Sequence, residues 1–488
     1  MAERVKEVQV VLEFPAAGRW ITGSGPVLET VNPASGEVHA SIGTPSASEV
    51  DEICSEVARS AALRSWRTML PHKRAEILHR IADGLAAGSE RMAHAQMIEN
   101  GKPLKECRAQ AQSAAGVFRY YAGACETMES TMPPPRGAWL GMTTYEPYGL
   151  VAAITPWNSP LTMDSQKVAP ALAAGNAVIL KPSEVTTLPA LELARICEEA
   201  GLPAGLLSVL PGYGTEVGPS LINHPDVRMV TFTGGTETGR RIGEQCARRL
   251  IPVALELGGK SPHILFEDAD VSAACNSIVD GIFEGLGQSC VAGSRLFVHR
   301  SLMDQVLDQL LEITRRLRVG MPTDPSVDFG SLSSHQHRER VERYVALARE
   351  EGASVLIGGA RPDNPELAAG AFYLPTILTG LNNRARVCQE EIFGPVLCVL
   401  PFEDETDLIA QANDTAFGLA CGIWTADYRR GLRVAQAIEA GTVWINTYKK
   451  LSIAAPFGGY KDSGLGREKG LSGLRLYQQT KSIYLATE

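Results

Sequence analysis

Hydrophobic positions along the chain switch between two periods. Residues 46–70 open with Ser46 and carry apolar side chains at helical spacing, and residues 72–99 continue the pattern. An Ala-rich stretch at 104–130 follows. Charges lie on one side of these segments and small apolar residues on the other, which predicts helices packed on a sheet or on one another. The first 30 residues lack this period and read as an extended arm. A Pro-rich break at 131–139 ends the helical region. Beyond it, TTYEPYGLVAAITPW alternates and then becomes fully apolar, as strands do. NAVILKPSE, LLSVLPG, VRMVTFTGG and IPVALELGG read as further strands. Between them LPALELARICEEAGLP, EVGPSLINHPD and TETGRRIGEQCARRL read as helices, the first stopped by Gly201 and Pro203. Strands alternating with helices predict a parallel sheet with crossover helices. The glycines fall where strands pass into helices, the usual place for a ligand in such sheets.

A second series starts near Ser261. PHILFED, SRLFVHR, ASVLIGG, PTILTG, GPVLCVLPF, ACGIWT and AGTVWIN are strand candidates. DVSAACNSIVDGIFEGLGQSC reads as a helix ending in a Gly-rich turn, with more helices at 301–318 and 335–350. This is a second α/β domain. The end, LRLYQQTKSIYLATE, reads as a strand able to pair with a neighbour. The fold class is therefore α/β.

Length and composition narrow the classes. A chain of 488 residues exceeds one ordinary domain. With 44% hydrophobic and 21% charged residues it is not a disordered chain. A formal charge of -9 argues against nucleic acid as a partner, since phosphates need a positive face. The ten cysteines form no CxxC pair and no Cys/His cluster of zinc spacing, so no metal is expected and the thiols read as free in a reducing compartment. The N-terminus lacks a signal-peptide core, and no uninterrupted apolar run reaches the roughly 18 residues of a membrane span. A cytoplasmic protein with no membrane partner is the expectation.

Three residues stand out chemically. Cys290, in GLGQSCVAGSR, follows a helix among small residues that leave its sulfur approachable. Glu256, in LELGGK, ends a predicted strand between apolar neighbours, where partial burial would raise its pKa towards that of a general base. Asn158, in PWN, ends another strand and can donate a side-chain N–H to an oxyanion. Each also has a plain structural reading: a buried small hydrophobe, an ion pair and a turn residue.

Seven motifs in order change the balance. PWN at 156–158, KPSE at 181–184, FTGG at 232–235, LELGGK at 255–260, GQSC at 287–290, EEIFGP at 390–395 and PFGGYKDSG at 456–464 together give a chain that closely resembles the aldehyde dehydrogenase superfamily over nearly its whole length. The resemblance implies that Cys290 attacks an aldehyde, that Asn158 and the Cys290 N–H hold the oxyanion, and that Glu256 activates the water that hydrolyses a thioester. Lys167 matches a lysine near the site that helps shuttle protons. Because coenzyme-A-acylating relatives generally lack a carboxylate at the Glu256 position, a free carboxylate product is implied. A catalytically silent protein of the same fold, and an acyl-transferring dehydrogenase or esterase, are the rival readings.

The resemblance also implies a cofactor site for NAD. Lys181 and Glu184 match the residues on the adenosine ribose, and a carboxylate at 184 would repel a 2′-phosphate, which favours NAD over NADP. Gly234, Gly235 and Gly239 fall at a strand-to-helix turn suited to a pyrophosphate. At Gly235 the family often has Ser, so any phosphate contact there is made by backbone. Gly214 and Gly218 match the adenine cleft, and Glu391 and Phe393 the nicotinamide ribose and ring. Ile154, Pro156, Trp157, Phe232 and Leu257 complete the expected cofactor contacts.

For the substrate, the resemblance points to Ser159, Met163, Gln166, Ser289, Val291, Leu451 and Phe457. Aromatic residues are scarce among them, which implies a wider and more polar tunnel than that of enzymes for simple aldehydes. Lys449 and Lys450 precede Leu451 near the expected tunnel mouth; they read either as a solvated pair on a loop or as candidates for attracting a semialdehyde or other anionic substrate. Implied domains are a Rossmann-like NAD-binding domain (1–126 and 147–257), a catalytic domain (258–470) and a small β oligomerisation extension (127–146 and 471–488). Family members are usually dimers or tetramers of dimers, so a homodimer or homotetramer is expected.

Overall fold

A computed structural model describes residues 11–488. The first ten residues of the expected arm lie outside the described residues. From Val11 onward the arm is instead a set of short strands: Val11–Leu12, Phe14–Ala16, Arg19–Ile21, Leu28–Val31 and Val38–Ile42. Phe14 is fully buried and anchors them to the first core. Single helical patterns resolve into pairs. Ser60 caps the N-terminus of Ala61–Thr68 directly after Ala47–Arg59, and Gly88 separates Pro71–Ala87 from Ser89–Asn100. Ser46 and Glu49 form a reciprocal capping box at the first of these helices, satisfying two otherwise orphaned N–H groups.

The first sheet has six strands in the order Gly464–Leu465, Val253–Glu256, Val227–Thr233, Leu150–Ile154, Ala177–Lys181 and Leu207–Val209. All pairings are parallel except that of the Gly464–Leu465 edge. Its central strands are buried along their length because helices cover both faces, and this explains their unbroken apolar runs. Strand order reverses at Leu150–Ile154, which pairs with Ala177–Lys181 on one side and Val227–Thr233 on the other. The crevice at the carboxyl ends of these reversal strands is where open α/β sheets bind ligands.

The second sheet has seven strands, with Pro262–Leu265 between Arg295–His299 and Ala420–Trp424. Each sheet has its own hydrophobic core. The chain crosses from one to the other through residues 257–261, the GG of LELGGK included. A Cβ on Gly259 would lie 2.5 Å from the Cys290 carbonyl oxygen, so glycine alone permits this crossing beside the Cys290 loop. Trp139–Pro147 pairs antiparallel with Gln478–Ala486 over nine residue pairs. The C-terminal strand thus finds its partner within its own chain, and Ile483, Tyr484 and Leu485 stay exposed on the ribbon. Among the described residues no helix is long and apolar enough to cross a membrane, and no His/Cys/Asp/Glu group has the arrangement of a metal site.

Candidate active site

A cavity of about 620 Å³ opens where the carboxyl ends of the first sheet meet the loops that lead into strands of the second. Pro156, Trp157, Asn158, Gly234, Gly235, Glu256 and Leu257 reach it from the first sheet. Ser289, Cys290, Val291, Glu391 and Phe393 reach it from the second. Residues about 130 positions apart in sequence therefore face one volume.

The nucleophile loop is tightly braced. Gly285, Leu286 and Gly287 all take positive φ. A Cβ on Gly287 would fall 2.1 Å from the Gly394 carbonyl oxygen. Gln288 is buried; its amide donates to the Gly285 carbonyl at 3.1 Å and accepts from the Ser333 N–H at 2.9 Å. The carbonyl of Gln288 then accepts a bond from Asn158 Nδ2 at 2.9 Å, which aims the Asn158 amide beside Cys290 and leaves its second N–H for a ligand. Tyr448 donates to the Val291 carbonyl at 2.8 Å and fixes the other side of Cys290. Burial, with the Glu391 and Glu256 carboxylates adding to it, pushes the Cys290 thiol up to about 12. Attack on an electrophile at neutral pH therefore requires a proton acceptor.

Glu256 is that kind of group. It is buried at the end of Val253–Glu256, and its Oε2 has no protein partner. Burial first, and then the nearby Glu468 carboxylate, raise its carboxyl well above the ordinary range. Lys167 is fully buried and does not line the cavity. It donates to Glu468 at 2.5 Å and to Thr231 at 2.9 Å. Lys167 thus reaches the cavity through Glu468, which does line it. Gly458 gives Glu256 its space: a Cβ there would sit 2.8 Å from Glu256 Oε1. Gly458→Ala is expected to displace that carboxyl and to cut steady-state turnover by roughly a hundred-fold. Rate measurements beside a thermal melt check this, because a loss of rate that merely tracks a loss of fold would contradict it.

A second group of residues could hold a dinucleotide. Gly235 precedes the helix Thr236–Arg249, whose first turn has no side-chain cap, and a Cβ on Gly235 would meet open space. Free N–H groups at such a helix start suit a phosphate. Backbone alone makes this cradle, as the absence of Ser at 235 requires. The Gly234 N–H donates to the Glu256 carbonyl at 3.0 Å, tying the turn to the strand that carries Glu256. Gly239 is packed against Leu257, where a Cβ would clash at 2.4 Å, and Phe232 is buried beneath Gly234. Ile154 pairs with Lys181 in the sheet. Lys181 lies 3.9 Å from the half-exposed Glu184, and burial pulls its ammonium down to about 8. Gly214 and Gly218 open the helix Gly214–Asn223 with free space at both positions. Ile154, Lys181, Glu184, Gly214, Gly218, Phe232 and Gly239 do not line the main cavity. Glu391 accepts from the Gly259 N–H at 3.0 Å, and Phe393 packs edge-on against Trp157 with ring centroids 5.3 Å apart.

Ser159, Met163, Gln166, Ser289, Val291, Leu451 and Phe457 all line the cavity. Trp157, Phe393 and Phe457 are its Trp, Tyr or Phe side chains. The two lysines before Leu451 are a correction. Neither lines the cavity, and Lys449 is engaged by Glu284 at 3.2 Å and by the Asp280 carbonyl at 3.3 Å. A lysine with a carboxylate in reach satisfies its charge locally. Sequence reading missed His337, Arg340, Glu468 and Lys469. The last two had a visible signal, a charged pair inside the glycine-rich GREKG next to the PFGGYKDSG motif. His337, kept neutral by burial, donates from Nε2 to the Phe393 carbonyl at 2.7 Å, and Arg340 donates to the Glu391 carbonyl at 2.8 Å.

A doubly wound sheet facing a second α/β domain, with a cysteine, an amide and a buried carboxyl on one cavity, defines a class of two-domain proteins with a thiol-bearing cavity at the junction. The aldehyde dehydrogenase family model matches residues 20–483. DhaS of Bacillus subtilis (strain 168) is 38% identical over 468 residues, covering 96% of this chain and 94% of that protein. The NAD+ complex of aldehyde dehydrogenase from Bacillus cereus superposes with a TM-score of 0.95 at 38% identity, covering 98% and 97% of the two chains. Betaine aldehyde dehydrogenase of Staphylococcus aureus gives 0.95 at 36% identity, covering 98% of each chain. The chain belongs to the aldehyde dehydrogenase family. It is an oxidoreductase that acts on aldehydes.

Proposed function

We propose that the protein oxidises an aldehyde to a free carboxylate with NAD through a covalent thioester on Cys290. The observation that carries this reading is the convergence of Cys290, the Gln288-braced Asn158 and the unpartnered carboxyl of Glu256 on one cavity. Cys290, as thiolate, adds to the aldehyde carbon. The negative charge on the substrate oxygen is met by the Asn158 side-chain N–H and the backbone N–H of Cys290. NAD, when bound, supplies the two-electron acceptor. The acyl group rests on Cys290 as a thioester, and Glu256 takes a proton from the water that attacks its carbonyl carbon. The acid leaves and the thiol is restored. Lys167, held on Glu468, passes the proton from Glu256 onward.

Lys181 and Glu184 bind the adenosine ribose, the Gly234–Gly235 turn with its helix start binds the pyrophosphate, and Glu391, Phe393 and Trp157 orient the nicotinamide end. The carboxylate of Glu184 favours NAD over NADP, and the NAD+ complex of the Bacillus cereus relative supports this choice. Residues 1–126 and 147–257 serve as the cofactor domain and 258–470 as the catalytic domain. The exposed apolar ribbon of 127–146 and 471–488 joins protomers into a homodimer or homotetramer, and the protein works in the cytoplasm.

The test is NADH formation by the purified protein with NAD and a panel of aliphatic, aromatic and acidic aldehydes. Turnover is expected, and silence with both NAD and NADP would overturn the reading. Asn158→Ala is expected to lower kcat by roughly 10²- to 10³-fold, the usual cost of one oxyanion donor. An unchanged kcat would place the oxyanion elsewhere.

A further inference from the structure

Among the described residues, the cavity wall holds one cation, Lys469, whose side chain has no polar partner in the protein. Its ammonium lies 4.9 Å from the centroid of the Phe457 ring. Phe457 and Cys290 pack against the same small cluster of Val291, Leu419 and Tyr448, and Lys469 and Cys290 line the same cavity. Among the described residues the ammonium has no hydrogen bond and no carboxylate within ion-pair distance. The other cation on the cavity wall, Arg340, donates to the Glu391 carbonyl at 2.8 Å. Lys167, the buried lysine nearby, is paired with Glu468.

Its backbone is equally unusual. Lys469 has φ 61° and ψ 171°, a region that is essentially glycine's alone. The surrounding structure holds it there. Phe457 and Glu468 exchange two backbone hydrogen bonds of 2.8 Å, and the Gly470 N–H donates to the Ile453 carbonyl at 2.7 Å. A Gly would take this conformation without strain, yet the position carries a long cationic side chain turned onto the substrate cavity. An ammonium buried without a counter-ion is costly unless an anion arrives to meet it. Burial lowers its proton affinity, against the opposing influence of Cys290, Glu468 and Glu256. The aromatic face of Phe457 provides a holding position until then.

We propose that Lys469 selects an aldehyde bearing a second, anionic group, a carboxylate a few carbons from the carbonyl. The proposal rests on the aldehyde-oxidising reading of this same cavity. Lys469 and Cys290 line one cavity, so with the aldehyde carbon on Sγ a short chain brings its carboxylate to the ammonium. Lys469 replaces the Lys449 and Lys450 pair as the source of any preference for acidic substrates.

The experiment compares kcat/KM for 4-oxobutanoate and 6-oxohexanoate with that for their methyl esters, in the wild type and in Lys469→Met, Lys469→Arg and Lys469→Gly. Acid and ester differ in charge and hardly in shape. The expected result is an acid-to-ester ratio that falls roughly ten- to a hundred-fold in Lys469→Met, mainly through KM of the acid, and that Lys469→Arg largely retains. Lys469→Gly, which suits the backbone at this position, is expected to fold at least as well and to lose the same discrimination. An unchanged ratio in the Met and Gly variants would overturn the proposal. An equal fall for acid and ester would overturn it too, since Lys469 would then act on the nucleophile. Wild-type protein that makes no NADH from any of the four compounds or from a neutral panel would overturn the oxidation reading beneath it, a different failure from indifference to charge.

Discussion

Cys290→Ala is expected to lose NADH production by about 10⁵-fold or more while the protein stays folded. Removing a covalent nucleophile abolishes the route on which the other groups act, so the loss is not shared out among them. Folding should be nearly indifferent, because the sulfur faces a cavity and the loop is held by other bonds. Gln288 anchors it on Gly285 and Ser333, and Tyr448 holds the Val291 carbonyl. Paired measurements check this: aldehyde-dependent NADH formation, and NAD binding followed by tryptophan quenching with Trp157 on the cavity wall. Loss of turnover with retained binding is the expected outcome. Substantial turnover in the Ala variant would assign the nucleophile to another group.

Glu256→Gln is expected to separate the two halves of the reaction. Acylation, with the Cys290 proton lost to solvent instead of to Glu256, still delivers a burst of NADH of up to one equivalent per site. The following turnovers slow by roughly 10²- to 10⁴-fold, because the water lacks its base. The glutamine keeps the shape beside Gly458, so the change is chemical. The pH dependence follows from the direction of the shift. Burial and Glu468 raise the Glu256 carboxyl well above its ordinary value, so its basic form appears only as pH rises through that raised value. Steady-state turnover should rise with pH over that window in the wild type, and the limb should flatten in the Gln variant. Rapid-mixing kinetics across pH read both effects. A variant lacking the burst as well would show that Glu256 is needed to activate Cys290.

Much of this site is legible in the sequence. The motifs PWN, KPSE, FTGG and LELGGK lie at the carboxyl ends of strands, where the switch from apolar run to glycine or turn is local and legible. PWN and FTGG end Leu150–Ile154 and Val227–Thr233, and LELGGK ends Val253–Glu256. The misses share a different character. Ser60 and Gly88 break helices whose apolar period runs on across them. Lys449 had the right charge and the right loop, but its direction depends on Glu284, some 165 residues away. Lys469 and Glu468 gave only a charged pair in a turn, and nothing local says that one faces Lys167 and the other the substrate.

What the sequence determined by itself is what short-range physics controls: alternating strands and helices, glycines at the turns, the identity of the reactive groups and the family they signal. Only the tertiary structure decided which charges are satisfied and which are left over. Lys167, Lys449 and Lys469 are chemically the same residue. Partners more than a hundred positions away in the chain make the first a buried ion pair and the second a surface one. The third is left over Phe457, facing the cavity, because the cost of an unpaired charge is set by what packs around it in space.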